Sequence, residues 1–139
     1  MSALSDYLES ALLEEIFNGV GYSAPNTWVA LFTTATGDDG SGTEVSGGSY
    51  ARVRVYAHGG GSPAWNTAVV DGVGYLVDNE HDITFPTASG SWGTVTHFAI
   101  CDAVSGGNFL YHGALDASKA VGSGDTFKFA AGNLNLRME

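Results

Sequence analysis

The sequence is poor in cysteine, proline and charged side chains. Cys101 is the only cysteine among 139 residues, so the chain forms no internal disulfide and no zinc site of the multi-cysteine kind. Charged residues make up 14% of the chain, and the 20 glycines have no three-residue period, which excludes a collagen-like structure. The hydrophobic fraction of 44% excludes a disordered chain. We therefore predict a single folded, glycine-rich domain over residues 1–139.

Basic side chains are especially scarce, with 5 Lys and Arg against 15 Asp and Glu and a formal net charge of −10. A protein that binds a phosphate backbone needs clustered basic residues, because each neutralised phosphate takes one. Such scattered bases exclude nucleic acid as a partner, and the same repulsion argues against an anionic membrane surface. A basic patch on another protein is the fitting electrostatic complement. The low charge itself fits either a surface packed against other protein or an ordinary acidic surface.

Long hydrophobic runs are also missing. No run approaches the roughly 18 apolar residues of a membrane-spanning helix. Residues 1–15 contain four acidic and no basic residues, unlike a secretory signal. We expect a protein that is made in the cytoplasm and does not span a membrane.

Residues 1–19 carry the clearest helical pattern. Ser5 or Ser2 is suited to cap its start, and Gly19 is suited to end it in the left-handed conformation. One face of this helix is apolar and is formed by Leu4, Leu8, Ala11, Leu12 and Ile16. Such a face needs a surface to cover, so we expect the helix to pack either on its own sheet or on a neighbouring subunit.

Residues 20–139 show the patterns of short β-strands. Segment 27–34 (TWVALFTT) is apolar on both faces, which predicts a central, covered strand. Further strands are predicted at 49–56, 82–85, 94–102, 109–115, 125–129 and 134–138, whereas 58–79 is irregular. These short strands behind one helix predict a mainly β fold, an antiparallel β-sandwich (jelly-roll-like) with one N-terminal α-helix.

No combination of residues points to catalysis. His97 and Cys101 share one face of a predicted strand, but positions four apart lie about 13 Å apart along it, too far for a nucleophile and its base. The sequence has no GxSxG elbow, no phosphate-binding GxxxxGK loop and no GxGxxG between a strand and a helix. A packed thiol and a hydrogen-bonded histidine are the better interpretation. We predict that the chain is not an enzyme.

The spacing of possible ligands gives no support for a metal site. None of the 4 histidines shows metal-motif spacing, although a threefold axis could gather copies of one of them. Asp38, Asp39 and Glu44 lie in a glycine-rich loop, but their spacing fails the EF-hand pattern. A solvated acidic loop is the better interpretation, and we predict no metal and no cofactor.

Large aromatic and basic side chains mark candidate interface positions. By strand alternation the residues at 50, 52, 54 and 56 share one face, where Tyr and Arg favour either an interface or a half-exposed sheet face. The tryptophans at 65 and 92 stand among small or polar residues, which indicates either lids on the core or interface anchors. The interface candidates are Leu4, Tyr7, Leu8, Leu12, Tyr50, Arg52, Arg54, Tyr56, Trp65 and Trp92.

Several strings occur together along the chain. They are LSDYLE at 4–9, WVALFT at 28–33, GTEVSGGSYAR at 42–52, ITFPTA at 83–88, WGTVTH at 92–97, LYHGAL at 110–115 and GDTF at 124–127. In this order they resemble a family of small virion proteins from the structural modules of tailed phages, labelled capsid cement (decoration) proteins or tail-fibre-like proteins. Segment 56–79 departs from that family. The resemblance implies a non-enzymatic structural role and a homo-oligomer, often a trimer, and it transfers no catalytic residues.

From this resemblance we expect a capsid cement protein on the exterior of the virion head. It would be a homotrimer that binds the major capsid protein and stabilises the assembled shell. The alternative is a tail- or head-fibre module that binds a host-surface receptor, with Trp65, Trp92 and Tyr75 as a sugar-stacking site. Repeated weak contacts would add up in either role, because later contacts form at high effective concentration.

Overall fold

The computed structural model describes residues 3–138, and it is mainly β with one helix near the N-terminus. The helix is α1 (Asp6–Leu13), followed by a π-helical turn (Glu14–Asn18). The strands are β1 (Ala3–Leu4), β2 (Thr27–Phe32), β3 (Val53–Val55), β4 (Val69–Asp71), β5 (Gly74–Asp78), β6 (Ile83–Thr84), β7 (Gly93–Cys101), β8 (Phe109–Val121), β9 (Lys128–Phe129) and β10 (Asn135–Met138). All paired strands are antiparallel, and the predicted fold class is confirmed.

Five strands form the main sheet in the order β1-β8-β7-β2-β3. β2 lies inside this sheet, and its last four residues are buried, as its apolar pattern predicts. β7 and β8 form a hairpin whose turn is closed by Asp102, a carboxylate that accepts the N–H of Asn108 at 2.7 Å. β8 continues to Val121, beyond the predicted end at 115, because the first residues of β7 extend the ladder to that point.

Two smaller sheets, β10-β5-β4 and β6-β9, form the second layer of a sandwich-like arrangement. The hydrophobic core lies between the layers. Leu31 comes from the main sheet and Ile83 from β6, and Leu136 of β10 packs against them from a half-buried position. The rings of Phe85 and Phe127 meet edge to face with centroids 5.7 Å apart. Burial of these side chains is the main term that holds the layers together.

The segment predicted to be irregular, 58–79, contains the hairpin of β4 and β5. Asp71 and Gly72 begin its turn, and Gly72 adopts a φ of 64°, where glycine avoids the strain of a side chain. At the end of the segment, Asn79 is completely buried and its Oδ1 accepts the N–H of Leu134 at 2.9 Å. The segment is therefore part of the second layer.

The helical pattern predicted over residues 1–19 is divided in the structure. Ala3–Leu4 pairs with β8 as a short strand, and the helix begins at Asp6. Ser5 caps it, because its Oγ accepts a backbone N–H of the first turn at 3.2 Å. The other predicted cap, Ser2, lies outside the described residues. The π-helical turn ends at Gly19 with a φ of 64°, which confirms the predicted left-handed end.

The helix lies on the surface of the molecule. None of its residues is fully buried, although Leu8 packs partly against the core. Within residues 3–138, no helix has the length and apolar character needed to cross a bilayer.

Candidate interaction surface

Most of the exposed large apolar side chains among residues 3–138 fall into two groups. The first group is the helix end, which we define as Leu13, Ile16, Phe17 and Val20. The second group is the hairpin edge, which we define as Val69, Val70, Val73, Tyr75 and Met138. Single exposed apolar residues are common on soluble proteins, but contiguous ones mark places where something packs.

The helix end is held in place by hydrogen bonds on its polar side. The Asn18 amide donates to Glu14 at 2.8 Å, and the N–H of Tyr22 donates to Glu15 at 2.6 Å. These contacts fix the π-helical turn and leave Phe17 75% exposed. The first turns of both helical segments contain acidic residues, and neither last turn contains a basic one. The helix end is therefore an apolar patch in acidic surroundings.

An open apolar groove of about 460 Å³ lies between the helix and the β10-β5-β4 sheet. Leu4 and Leu8 line it on the helix side, and Leu136 and Met138 line it on the sheet side. Among the described residues, Arg137 is the only charged residue that lines it. The volume and the apolar lining fit a site that buries apolar groups of a partner.

An exposed apolar row crosses three strands beside the apolar groove, and two of its members, Tyr75 and Met138, line the groove. Val70, Tyr75 and Met138 are direct cross-strand neighbours, and they are 70%, 59% and 50% exposed. Val77 and Leu136 follow on the same face and are half-buried. The apolar face of this sheet thus continues beyond the end of the core.

A second groove, the cationic groove, has a volume of about 360 Å³ and runs between β8 and the strands β9 and β10. Three of the chain's five basic residues line it: Lys119, Lys128 and Arg137. Asp116 is the only acidic lining residue among those described. The ammonium of Lys119 lies 5.7 Å from the ring centroid of Phe127. In a chain of net charge −10, this groove is a local concentration of positive side chains.

Two of these basic residues have carboxylate partners. The Lys128 ammonium lies 3.3 Å from Asp82, and the Arg137 guanidinium bonds to Asp71. Both pairs are largely exposed, so each contributes little to stability. A carboxylate of another molecule can therefore readily replace the acidic partner. Within residues 3–138, Lys119 has no ion pair. Arg137 lines both grooves, so the two grooves meet at this residue.

The candidates from the N-terminal segment lie in different places. Leu4 and Leu8 line the apolar groove together with Trp65, whose indole N–H donates to a threonine hydroxyl of β2 at 3.0 Å. Tyr7 is 43% exposed on the other side of the helix, and Leu12 is half-buried. The structure therefore brings three of the predicted interface residues together in one groove.

Tyr50 and Arg52 are engaged within the chain. The guanidinium of Arg52 donates to both carboxylate oxygens of Glu44, at 2.7 and 2.8 Å, and to two carbonyls of the β7–β8 turn. The Tyr50 hydroxyl donates to Glu44 and accepts the N–H of Leu31, and burial raises the pKa of Tyr50. Both side chains are thus held by contacts within the chain. Any partner contact there would have to break this network.

Arg54 and Tyr56 form a half-buried stack at the edge of the main sheet. The guanidinium carbon of Arg54 lies 4.3 Å from the ring centroid of Tyr56 and 5.7 Å from that of Trp28. Its Nη2 donates to Asn26 at 2.8 Å. Its Nε is buried and has no hydrogen-bond partner among the described residues. The contact is of the cation–π kind, and it positions both side chains.

Trp92 is a core residue and not a surface anchor, because it is only 4% exposed. Its indole N–H donates to the carbonyl of Gly48 at 2.9 Å, and its ring meets that of Tyr50 edge to face at 5.4 Å. The sequence allowed Trp92 to be either a lid on the core or an interface anchor, and its burial fits the first of these roles. Trp92 therefore does not join Trp65 and Tyr75, which line the apolar groove.

Cys101 and His97 do not form a reactive pair in their observed surroundings. Cys101 is completely buried, and burial raises the pKa of its thiol to about 12, so it stays protonated. The Nδ1 of His97 is hydrogen-bonded to the hydroxyl of Thr96 at 2.8 Å, and burial lowers the pKa of His97. Among residues 3–138, no group of three or more His, Cys, Asp and Glu side chains is placed to hold a metal ion.

Asp38 and Asp39 of the acidic loop are exposed, as expected from the sequence, and the loop is also hydrogen-bonded to other residues of the chain. Asp38 bonds to Nε2 of the buried His112 at 2.6 Å, and the hydroxyl of Thr36 bonds to its Nδ1 at 2.9 Å. Asp39 accepts hydrogen bonds from Ser41, which lower the pKa of Asp39. These contacts bind the loop to β8.

Sequence reasoning missed the hairpin edge and the cationic groove. A signal for the hairpin was present, because Asp71-Gly72 between apolar residues is typical of a two-strand turn. No comparable signal marks the cationic groove. Lys119, Lys128 and Arg137 come from three strands that only the fold brings together.

A comparison with models of known protein families identifies a family that matches this chain. The model of a family described as Podophage GP4 fiber I protein gp80 matches residues 3–137, which is nearly the whole chain. The matched region includes the helix end and the cationic groove, and it includes all of the hairpin edge and of the apolar groove except Met138. A fibre of a phage particle is a structural part of the virion, so the match places the chain among virion structural proteins. A comparison with curated proteins finds no match.

Proposed function

We propose, because this chain belongs to the Podophage GP4 fiber I protein gp80 family, that it is a fibre subunit of a phage virion. The match over residues 3–137 is the observation that carries the proposal. Of the two structural roles expected from the sequence, the fibre role agrees with the family description. The capsid cement role has no separate observation in its favour and becomes an outcome of the test.

The exposed apolar surfaces support a role that depends on assembly. A fibre subunit works by packing against copies of itself and against the proteins that anchor it. The apolar groove and the helix end leave apolar area in water, and its burial in a partner would favour association by about 25 cal/mol per Å² before association costs. We therefore propose a homo-oligomer, with a trimer as the expected number, fixed to other virion proteins on the outside of the particle.

The buried state of the reactive groups supports a role without chemical turnover. The thiol of Cys101 is protonated and inaccessible, and His112 is engaged by Asp38 and Thr36. We propose that the subunit acts by shape and docking, with no cofactor and no catalytic residue.

The position and copy number of the chain in purified virions test this proposal. Cryo-electron microscopy and gold-labelled antibodies against the purified chain should locate it at a few projecting sites. Quantitative gels against the major capsid protein should give tens of copies per particle. Hundreds of copies spread over the icosahedral shell would replace the fibre role by the cement role, and absence from the particle would overturn both. Particles from a phage that lacks the gene are the control for antibody specificity.

A further inference from the structure

We propose that the helix end of one copy of this chain docks on the grooves beside β10 in a second copy. The occupant of the two grooves is then a defined part of the same protein. This inference deepens the proposed function by naming the contact through which subunits associate, and it can fail while the fibre role stands.

The helix end has the features of a docking element. Ile16 is 68% exposed and Phe17 is 75% exposed, and they are adjacent to Glu14 and Glu15. Glu9 of α1 precedes them by about two turns, and the last turn of the π-helical segment contains no basic residue. Large aromatic and aliphatic side chains at such a position supply most of the affinity of protein contacts.

The grooves have the complementary features. The apolar groove is suited to side chains such as Phe17, because Tyr75 and Met138 line it and are themselves at least half exposed. The adjoining cationic groove presents Lys119 without an ion pair within residues 3–138. Positive groups beside an apolar site attract a partner whose apolar side chains are flanked by carboxylates.

The charge distribution favours this occupant over others. Three of the five basic residues line the cationic groove, whereas the helical segment contributes only acidic ones. When an acidic protein associates with copies of itself through ion pairs, the basic side chains of those pairs must lie on its own surface. This is the place in the described structure where basic side chains gather.

The two surfaces are different parts of the chain, which determines the kind of assembly. The residues of the helix end line neither groove of their own molecule. The contact is therefore heterologous, with helix end on groove, and such contacts repeat until a ring closes or a filament grows. A closed ring of three would give the expected trimer.

Sedimentation equilibrium of the purified full chain, at low and high salt, measures the association. The wild-type chain should self-associate, and added salt should weaken it because exposed charge pairs are screened. Phe17→Ser should raise the dissociation constant roughly 30-fold, the loss of a typical hot-spot side chain. Val104→Ser is the matched control, because Val104 is 65% exposed in the β7–β8 turn, lines neither groove and is not part of the helix end. It should leave the constant unchanged.

Mixing two defective variants tests the heterologous geometry directly. Phe17→Ser damages the helix end and keeps the grooves, whereas Tyr75→Glu damages the groove and keeps the helix end. Each alone should be monomeric, and a mixture should form heterodimers through the one intact contact. The reversal Lys119→Glu should weaken association, and combining it with Glu9→Lys should restore part of it.

Three results would overturn the inference. They are a wild-type chain that stays monomeric at every concentration and salt tested, an equal effect of Phe17→Ser and Val104→Ser, and no heterodimer in the mixture. Unchanged circular dichroism of each variant shows that it is folded. Localisation of the chain on virions does not depend on any of these measurements, so the two proposals fail separately.

Discussion

Two sides of this molecule differ in how their side chains are paired. We call the side covered by residues 35–52 the loop side, and the side with the apolar groove and the hairpin edge the groove side. On the loop side, residues 35–52 fold over the main sheet, and nearly every charged group there has a partner, as in the contact between Glu44 and Arg52. On the groove side, the apolar groove and the hairpin edge leave Tyr75 and Met138 in water. The few charged side chains of the loop side thus pair within the chain, and we expect no partner there. The groove side leaves apolar surface exposed, and there we expect a partner to bind.

We expect the largest difference between the two sides when an aromatic side chain is removed from each and the free energy of unfolding is compared. Trp92→Ala should lower the free energy of unfolding by about 4 kcal/mol, because the ring is buried and a cavity remains. Tyr75→Ala should change it by less than about 0.5 kcal/mol, because the ring is 59% exposed. Urea unfolding of both variants gives the two values. Equal losses would show that the groove side is as closed as the loop side.

Removal of the central charge on the loop side should have the next largest effect. Arg52→Ala leaves Glu44 and two turn carbonyls without their donor, so we expect a loss of about 3 kcal/mol in unfolding free energy. Arg52→Lys is the matched control, because it keeps the charge and loses the two-point contact. It should lie between the wild type and Arg52→Ala. A loss below about 1 kcal/mol for Arg52→Ala would mean that the network is not needed for folding.

Alanine substitutions at two adjacent glycines of the loop side can distinguish the cost of backbone strain from the cost of a close contact. At Gly47, with a φ of 72°, an added Cβ meets nothing within 4 Å, so Gly47→Ala should cost only about 1 kcal/mol of backbone strain. At Gly48, with a φ of 56°, it would lie 2.9 Å from the carbonyl oxygen of Gly90. Gly48→Ala should therefore cost about 2 kcal/mol or more. Thermal unfolding of the pair measures the difference, and equal melting temperatures would argue against the close approach of Gly48 to the carbonyl of Gly90.

The smallest expected effect is a pH dependence at the cationic groove. Hydrogen bonds from the Ala131 N–H and then from Lys128 lower the pKa of Asp82 from its ordinary 3.8. Because the folded-state value lies below the unfolded one, the contribution to stability is present above pH 3.8 and is lost as the pH falls through the folded pKa. The urea midpoints of wild type and Asp82→Asn should differ at pH 5 and converge as the pH falls through the lowered pKa of Asp82. A difference that grows with acidity would contradict this sign.

Several elements could be predicted from the sequence because their signals are local. β2 is apolar on both faces and became an inner strand, and the helix has its cap at Ser5 and its end at Gly19. The alternation in 49–56 predicted a strand with Tyr50 and Arg52 on one face, but the strand covers only Val53–Val55, and the ring of Tyr50 packs against core rings. Which groups hold these side chains could not be predicted, because Glu44 and the β7–β8 turn reach them from elsewhere in the chain.

The sequence by itself determined the mainly β class, the antiparallel strands, the N-terminal helix and the absence of disulfides, because composition and periodicity act over a few residues. The tertiary structure alone decided which apolar and charged side chains remain at the surface. Trp92 became buried while Phe17 stayed in solvent, and Lys119, Lys128 and Arg137 met at one groove. Exposure depends on what distant segments cover, and that depends on the packing of the whole chain.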